Sequence, residues 1–269
     1  MDDRAIGVFD SGLGGLTAVS ALTAACPNEN IIYFGDTGRM PYGGRTPEEL
    51  LTMARQNTDF LSAFGVKTIL VACGTVSSTV LPEVRAQADV PMFGVIDAAV
   101  TEALEATKNS RVGVIATEAT VRSGAFGSGL RAGGCKQVIE VACPKLVPLI
   151  EAGHTAPEDS EVRAALEDYL RPIAEAGADT LILGCTHYPL LEDAIRAVLG
   201  DVYLVSSGAA AARALLKALA ERDMLSERKT PGVLRCHTSG DAAAFAETAS
   251  GLLGRDMAGA VQEAPVFPL

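Results

Sequence analysis

Two cysteines stand at the ends of closely matching apolar runs. Thr68-Ile-Leu-Val-Ala-Cys73 aligns without a gap with Thr180-Leu-Ile-Leu-Gly-Cys185. Runs of this length, rich in aliphatic and β-branched residues, read as short buried strands. Small and hydroxyl residues follow Cys73, of the kind that start helices. A thiol between a strand end and a helix start meets backbone N–H groups and the positive end of a helix dipole, which favour the thiolate. A single free cysteine packs as a small hydrophobe. Two at matching strand ends of a repeat point to chemistry instead. Cys26, Cys135, Cys143 and Cys236 have no such placement and are read as structural.

Other reactive types lie close by in the sequence. Asp10 follows the strand Ala5-Ile-Gly-Val-Phe9 and could take up protons or position a thiol. Its alternative role is as a turn or cap residue for the next helix. His187 is two residues past Cys185, either a satisfied polar residue or half of a zinc pair. Zinc would need further ligands at recognisable spacing, and the adjacent Cys236-His237 is a weak signal for them. The run Gly12-Leu-Gly14-Gly15 is like a dinucleotide loop, with Asp36 near the expected acid, but its sixth position is Thr17. Gly-Lys-Ser/Thr is absent from the sequence. An anion-binding turn suited to a substrate carboxylate is the simpler reading.

The elements that must hold these groups alternate along the chain. Strands are expected at 5–9, 31–34, 67–72, 90–96, 111–115, 136–143, 179–184, 202–205 and 232–237. Helices are expected at 16–25, 46–64, 97–107, 161–176, 191–199 and 207–222, with a last one opened by Thr238-Ser-Gly-Asp241. Thr46-Pro-Glu-Glu provides an N-cap followed by proline at the first helical position. Alternating strands and helices call for parallel sheets flanked by helices. The repeat goes deeper than the cysteines, because Ala5-Ile-Gly7-Val-Phe-Asp10-Ser11 pairs with Arg111-Val-Gly113-Val-Ile-Ala116-Thr117. The sequence therefore predicts an α/β protein of two pseudo-symmetric domains with the site in the cleft between them. Ligands bind beyond the carboxyl ends of parallel strands, so the two cysteines would line opposite walls of that cleft.

Composition narrows the function further. The chain has 269 residues, 48% of them hydrophobic, enough for a large buried core. A net charge of −11 argues against nucleic acid or an anionic membrane as the main partner. The start Met-Asp-Asp-Arg lacks the basic and apolar regions of a signal peptide. The apolar stretch Gly208–Leu219 is broken by Arg213 and Lys217, so no run approaches the roughly 20 residues of a membrane span. Six scattered cysteines without a CxxC fit reduced thiols and a cytoplasmic protein.

Several stretches together carry a family likeness. They are Phe9-Asp-Ser-Gly-Leu-Gly-Gly15, Tyr33-Phe-Gly-Asp-Thr37, Pro41-Tyr-Gly43, Ala72-Cys73, Gly94-Val-Ile96, Cys143-Pro-Lys-Leu-Val-Pro-Leu-Ile-Glu151, Gly184-Cys-Thr-His-Tyr-Pro-Leu-Leu191 and Thr238-Ser-Gly-Asp241. In these the chain resembles the glutamate racemases of the cofactor-independent aspartate/glutamate racemase superfamily, almost end to end. The resemblance implies racemisation of L- and D-glutamate for peptidoglycan synthesis, without cofactor or metal, by a homodimer. It implies that Cys73 acts on the D-enantiomer and Cys185 on the L-enantiomer, with Asp10 assisting Cys73, His187 assisting Cys185, and Glu151 as a further catalytic carboxylate. Inversion without a cofactor needs two acid/base groups on opposite sides of one carbon, which agrees with the placement of the thiols. The substrate positions it implies are Asp10, Ser11, Pro41, Tyr42, Gly43, Gly74, Thr75, Thr186 and His187, with Thr117 and Thr120 on the second wall. The domains expected are 1–97 with 208–269, and 98–207.

The chain departs from the family pattern at Gly74, where Asn is usual, at Asp97-Ala98, where Glu-Pro is usual, and at Ser206, where Asp is usual. Only Gly74 touches the expected substrate shell. Loss of one neutral hydrogen bond costs about 0.5–1.5 kcal/mol, so Gly74→Asn is expected to lower the KM for glutamate. The rival readings are a racemase of aspartate or another amino acid, and a catalytically silent amino-acid-binding homologue.

Overall fold

Short continuous apolar runs, buried on both faces, alternate with helices, and the chain folds into two parallel sheets. The structure is a computed structural model and describes residues 2–268. The strands are β1 (Ile6–Asp10), β2 (Ile31–Gly35), β3 (Thr68–Val71), β4 (Met92–Gly94), β5 (Arg111–Ala116), β6 (Gln137–Ala142), β7 (Thr180–Leu183), β8 (Tyr203–Ser206), β9 (Leu234–Thr238) and β10 (Val261–Glu263). The helices are α1 (Leu16–Ala25), α2 (Pro47–Ser62), α3 (Gly74–Thr79), α4 (Leu81–Arg85), α5 (Ile96–Ala106), α6 (Glu118–Ser123), α7 (Ala125–Ala132), α8 (Leu146–Glu151), α9 (Ser160–Glu175), α10 (Glu192–Leu199), α11 (Ser207–Ala220) and α12 (Ala242–Leu253).

The first sheet has the order β10-β9-β2-β1-β3-β4 and the second β6-β5-β7-β8. Removing β9 and β10 leaves the same plan twice, with β1 and β5 in equivalent central places. The register repeats as well. Gly7 faces Ile32 and Ile69, and Gly113 faces Ile139 and Leu181. The duplication read from the sequence is thus present strand by strand.

Alternate strand residues feed three apolar cores. Ile6, Val8 and Leu70 of the first sheet share one core with Val112, Val114 and Ile182 of the second, filled by α1, α5 and α11 between them. Phe9, Ile69 and Val71 point the other way, under α2. Ile115, Leu181 and Leu183 do the same under α9. The shared central core holds the two sheets to one another, so the carboxyl ends of their strands meet across a cleft. We propose the division 1–97 with 208–269 and 98–207 on the membership of the two sheets; the 97/98 boundary then falls in the first turn of α5.

The α2 start is a full capping box. The Thr46 hydroxyl accepts from the Glu49 N–H, and the Glu49 carboxylate accepts from the Thr46 N–H. Other bounds differ from the sequence pattern. The stretch 90–96 yields only three strand residues, because Pro91 has no N–H to donate and Val95 already has helical backbone angles. Residues 144–151 contain the short helix α8. The helices α6 and α7 and the strand β10 have no counterpart in the sequence reading. Gly127 and Gly129 dilute the helical propensity of α7, and β10 is a three-residue edge defined by its pairing with β9. No helix among the described residues is long and apolar enough to cross a membrane.

Candidate active site

Both repeated strands deliver a cysteine to one cavity. Cys73 follows β3 at the N-cap position of α3, and Cys185 follows β7 and Gly184. Each side chain lines a cavity of about 450 Å³ at the carboxyl ends of the two sheets. Both are buried, with 4% and 7% of their surface exposed.

Around Cys73 the groups come from the first turn after β1. The Ser11 hydroxyl and the Val76 N–H bond to the Cys73 sulfur and favour its thiolate. Burial and the Asp10 carboxylate oppose them and push the thiol up to about 12. The N–H at the helix start favours the thiolate, as the sequence leads one to expect, but burial and the Asp10 charge outweigh it. Asp10 lies fully buried behind the cavity wall rather than in it. Its Oδ2 accepts from the N–H groups of Gly15 (2.9 Å) and Gly12 (3.4 Å) and from the Thr186 hydroxyl (3.3 Å). Its Oδ1 has no partner. Two N–H groups of the glycine-rich turn are thus taken by the chain's own carboxylate, where the sequence suggested a ligand anion. The turn is braced by the Tyr33 hydroxyl, which donates to the Gly12 carbonyl at 2.6 Å.

Around Cys185 the partners are a cation and a second carboxylate. His187 Nδ1 lies 3.8 Å from the Cys185 sulfur, and His187 Nε2 lies 3.3 Å from Glu151 Oε1. The second contact is an ion pair without the alignment of a hydrogen bond, since Nε2 has no bonded partner. Burial alone would depress the imidazole, but Cys185, Glu151 and Asp10 raise it to about 10. The surrounding negative groups thus favour the imidazolium form of His187, which places an Nδ1–H toward the Cys185 sulfur.

Ser11, Pro41, Tyr42, Gly43, Gly74 and Thr75 line the first wall; Thr117, Glu151, Thr186 and His187 line the second. Thr120 does not reach the cavity. It is 1% exposed and sits behind Thr117, whose hydroxyl donates to it at 3.0 Å. The Tyr42 hydroxyl is also turned away. It donates to Asp36 and accepts from Asn57 Nδ2 at 3.1 Å, so the loop presents its backbone to the cavity. Asp36 is fully buried and also accepts from Arg39 Nε at 2.8 Å and Ser239 Oγ at 2.6 Å.

The structure corrects two further readings. Cys143, expected to be structural, lines the cavity wall; burial and nearby Cys185 push its thiol up to about 12. It follows β6 where Asp36 follows β2, a signal present in the repeat. Gly74→Asn, expected to improve affinity, meets an obstacle: a Cβ on residue 74 would lie 2.5 Å from the Gly184 carbonyl oxygen. Glu118 lies on the cavity rim and had no motif to reveal it. Among the described residues no three His, Cys, Asp or Glu side chains are grouped to hold a metal ion.

Such an arrangement can move a proton on or off a small molecule from two sides. Comparison with known proteins points the same way. The Asp/Glu/Hydantoin racemase family matches residues 17–215. The glutamate racemase of Mycobacterium leprae (strain TN) is 42% identical over 256 residues, covering 94% of this chain and 93% of that protein. The structure of a glutamate racemase isoform from Bacillus anthracis superposes with a TM-score of 0.90 at 33% identity, covering 99% of this chain and 98% of that one. That of the Francisella tularensis subsp. tularensis SCHU S4 glutamate racemase, in complex with D-glutamate, superposes with a TM-score of 0.88, again at 33% identity and with the same coverage.

Proposed function

The chain belongs to the Asp/Glu/Hydantoin racemase family, and we propose that it is a glutamate racemase that interconverts L- and D-glutamate with two cysteine bases and no cofactor. It works in the cytoplasm as a homodimer and supplies D-glutamate for peptidoglycan. The observation that carries this reading is the pair Cys73 and Cys185, at equivalent places of a structural repeat and facing one cavity.

Glutamate binds with its α-carbon between the two sulfurs. One cysteine, as thiolate, takes the α-proton; the other, as thiol, gives a proton to the opposite face. Cys73 acts on the D-enantiomer and Cys185 on the L-enantiomer. The thiol form favoured at Cys73 suits it as the donor when L-glutamate enters. The His187 imidazolium stabilises charge at Cys185, and Glu151 holds the imidazolium in turn. The unpartnered Asp10 Oδ1 supplies an acceptor on the Cys73 side. Negative charge on the substrate carboxylates and on the carbanion meets the N–H groups at the start of α3, and the Ser11, Thr75, Thr117 and Thr186 hydroxyls lie along the same walls. Donors fixed in a dry cavity stabilise such charge well because they need no reorganisation.

Circular dichroism of L- and D-glutamate and of both aspartates tests the reading. Inversion of glutamate is expected, with solvent deuterium appearing at the product α-carbon in deuterated water. Cys73→Ala and Cys185→Ala should each remain folded and lose racemisation. Near-native turnover by either variant would refute the two-base assignment, and preference for aspartate would refute the substrate.

A further inference from the structure

The glycine-rich turn after β1 lies against the histidine of the opposite wall. A Cβ on Gly14 would overlap the Thr186 hydroxyl oxygen and stand 2.7 Å from His187 Nδ1 and 3.0 Å from its Cε1, where ordinary contact begins at 3.4 Å. The Gly14 backbone therefore abuts the edge of the imidazole that carries Nδ1. The turn cannot retreat easily. The Gly14 carbonyl accepts from the Thr17 N–H at 3.0 Å and from the Thr17 hydroxyl at 2.8 Å, and the same hydroxyl lies 3.2 Å from the Thr186 carbonyl. One residue on, the Gly15 N–H donates at 2.9 Å to Asp10 Oδ2, which also accepts from Thr186. The ring is confined as well. His187 is 6% exposed, with Nδ1 3.8 Å from the Cys185 sulfur and Nε2 3.3 Å from Glu151 Oε1. Room for a Cβ must then come from the ring and the Thr186 hydroxyl, and these are the groups that meet Cys185 and Asp10.

We propose that Gly14 is a positioning residue: by lacking a Cβ it lets the turn of the first sheet close on the His187 ring and hold Nδ1 toward the Cys185 sulfur. This rests on the racemase reading above, in which His187 assists Cys185. The first half of the repeat thus orients a group that acts in the second. Gly14 does not itself line the cavity, so its influence passes through the ring. A Cβ there would displace Nδ1 and weaken the contacts with Cys185 and Glu151, which favour the charged ring. A group that serves a reacting atom must be held to within about 0.5 Å of its working place, and the overlap at Gly14 is of that size.

The test compares Gly14→Ala with the native chain by NMR titration of the imidazoles and by glutamate racemisation. The sequence has three histidines, and the His187 resonances are those missing from His187→Gln. In the native chain His187 should lose its proton near pH 10. In Gly14→Ala its midpoint should fall by about one pH unit or more, because the ring has moved off its charged partners, while His154 and His237 titrate as before. A misplacement of about 1 Å costs on the order of 10²-fold in rate, and racemisation kcat should fall by roughly that factor in both directions. An unchanged His187 midpoint in folded Gly14→Ala, a shift shared by all three histidines, or native turnover despite a lowered midpoint would each overturn the proposal. Should Gly14→Ala not fold, a crystal structure of the native chain decides. A Cβ built on residue 14 must then fall under 3.4 Å from His187 Nδ1 to sustain the proposal, and a longer distance removes it. The titration needs no substrate, so a native chain that leaves glutamate unchanged refutes the racemase reading, while the midpoints still decide whether Gly14 places the ring.

Discussion

Thr186 donates its hydroxyl to Asp10 Oδ2 across 3.3 Å, so the residue next to Cys185 is bonded to the carboxylate that faces Cys73. The two halves of the repeat are thus joined beside the cavity, by residues far apart in the chain. Thr17 adds a second link, its hydroxyl lying 3.2 Å from the Thr186 carbonyl.

Asp10→Asn should separate thiol reactivity from catalysis. The Asp10 carboxylate is the largest charged influence holding the Cys73 thiol protonated, second only to burial. Its removal should lower the Cys73 pKa and speed alkylation of Cys73 by iodoacetamide at pH 8. Racemisation should fall nevertheless, because the acceptor on that side is lost. Slower alkylation, followed by mass spectrometry of the Cys73 peptide, would contradict the electrostatic account.

His187 makes stability depend on pH on the alkaline side. Its folded value of about 10 lies above the ordinary 6.5. The stability it contributes is complete below about pH 6.5 and is lost as pH rises through about 10. Cys73, Cys143 and Cys236, each raised from 9.0 to about 12, add a further loss as pH rises from about 9 to 12. Tm of the native chain should therefore drop more steeply than that of His187→Gln between pH 7 and 10. Parallel curves over that range would remove the charged imidazole.

Tyr42→Phe should cost stability rather than affinity. The Tyr42 hydroxyl is buried and bonded to Asp36 and Asn57, away from the cavity. Hydrogen bonds to charged groups contribute about 1.5–3 kcal/mol. Urea unfolding should show a loss of that order, with KM for glutamate little changed. A large rise in KM at unchanged stability would place the hydroxyl on the substrate.

Lys67→Ala tests a buried node far from the chemistry. Lys67 Nζ donates to Glu29 at 2.7 Å and to the carbonyls of Asp2 (2.8 Å) and Met224 (2.7 Å), and both charged side chains are almost fully buried. Removing one partner strands the other in the interior, at about 3–5 kcal/mol. Denaturant titration should show that loss while the folded protein keeps its kcat. A change under about 1 kcal/mol would mean that Glu29 finds water.

The sequence by itself determined the repeat and the two strand ends that close in cysteine. Both are local: an apolar run closed by cysteine has the same meaning wherever it lies, and Gly7 and Gly113 mark the same register in both halves. The equivalence requires the two halves to share one strand order, but the order itself, β2-β1-β3-β4 and β6-β5-β7-β8, comes only from the pairing. The short elements were not legible, because β10 exists only through its pairing and α7 is diluted by glycine. At the site, Cys143, the Asp10 bonds to its own glycine turn, the inward Tyr42 hydroxyl and the Gly74–Gly184 contact were decided by tertiary structure alone. Each depends on which backbone faces which across a cleft between segments distant in the chain. Composition at one position cannot encode that distance. The same holds for the Cys73 proton: a helix start favours the thiolate, but burial opposite a carboxylate prevails, and burial is set only once the two sheets have closed on their shared core.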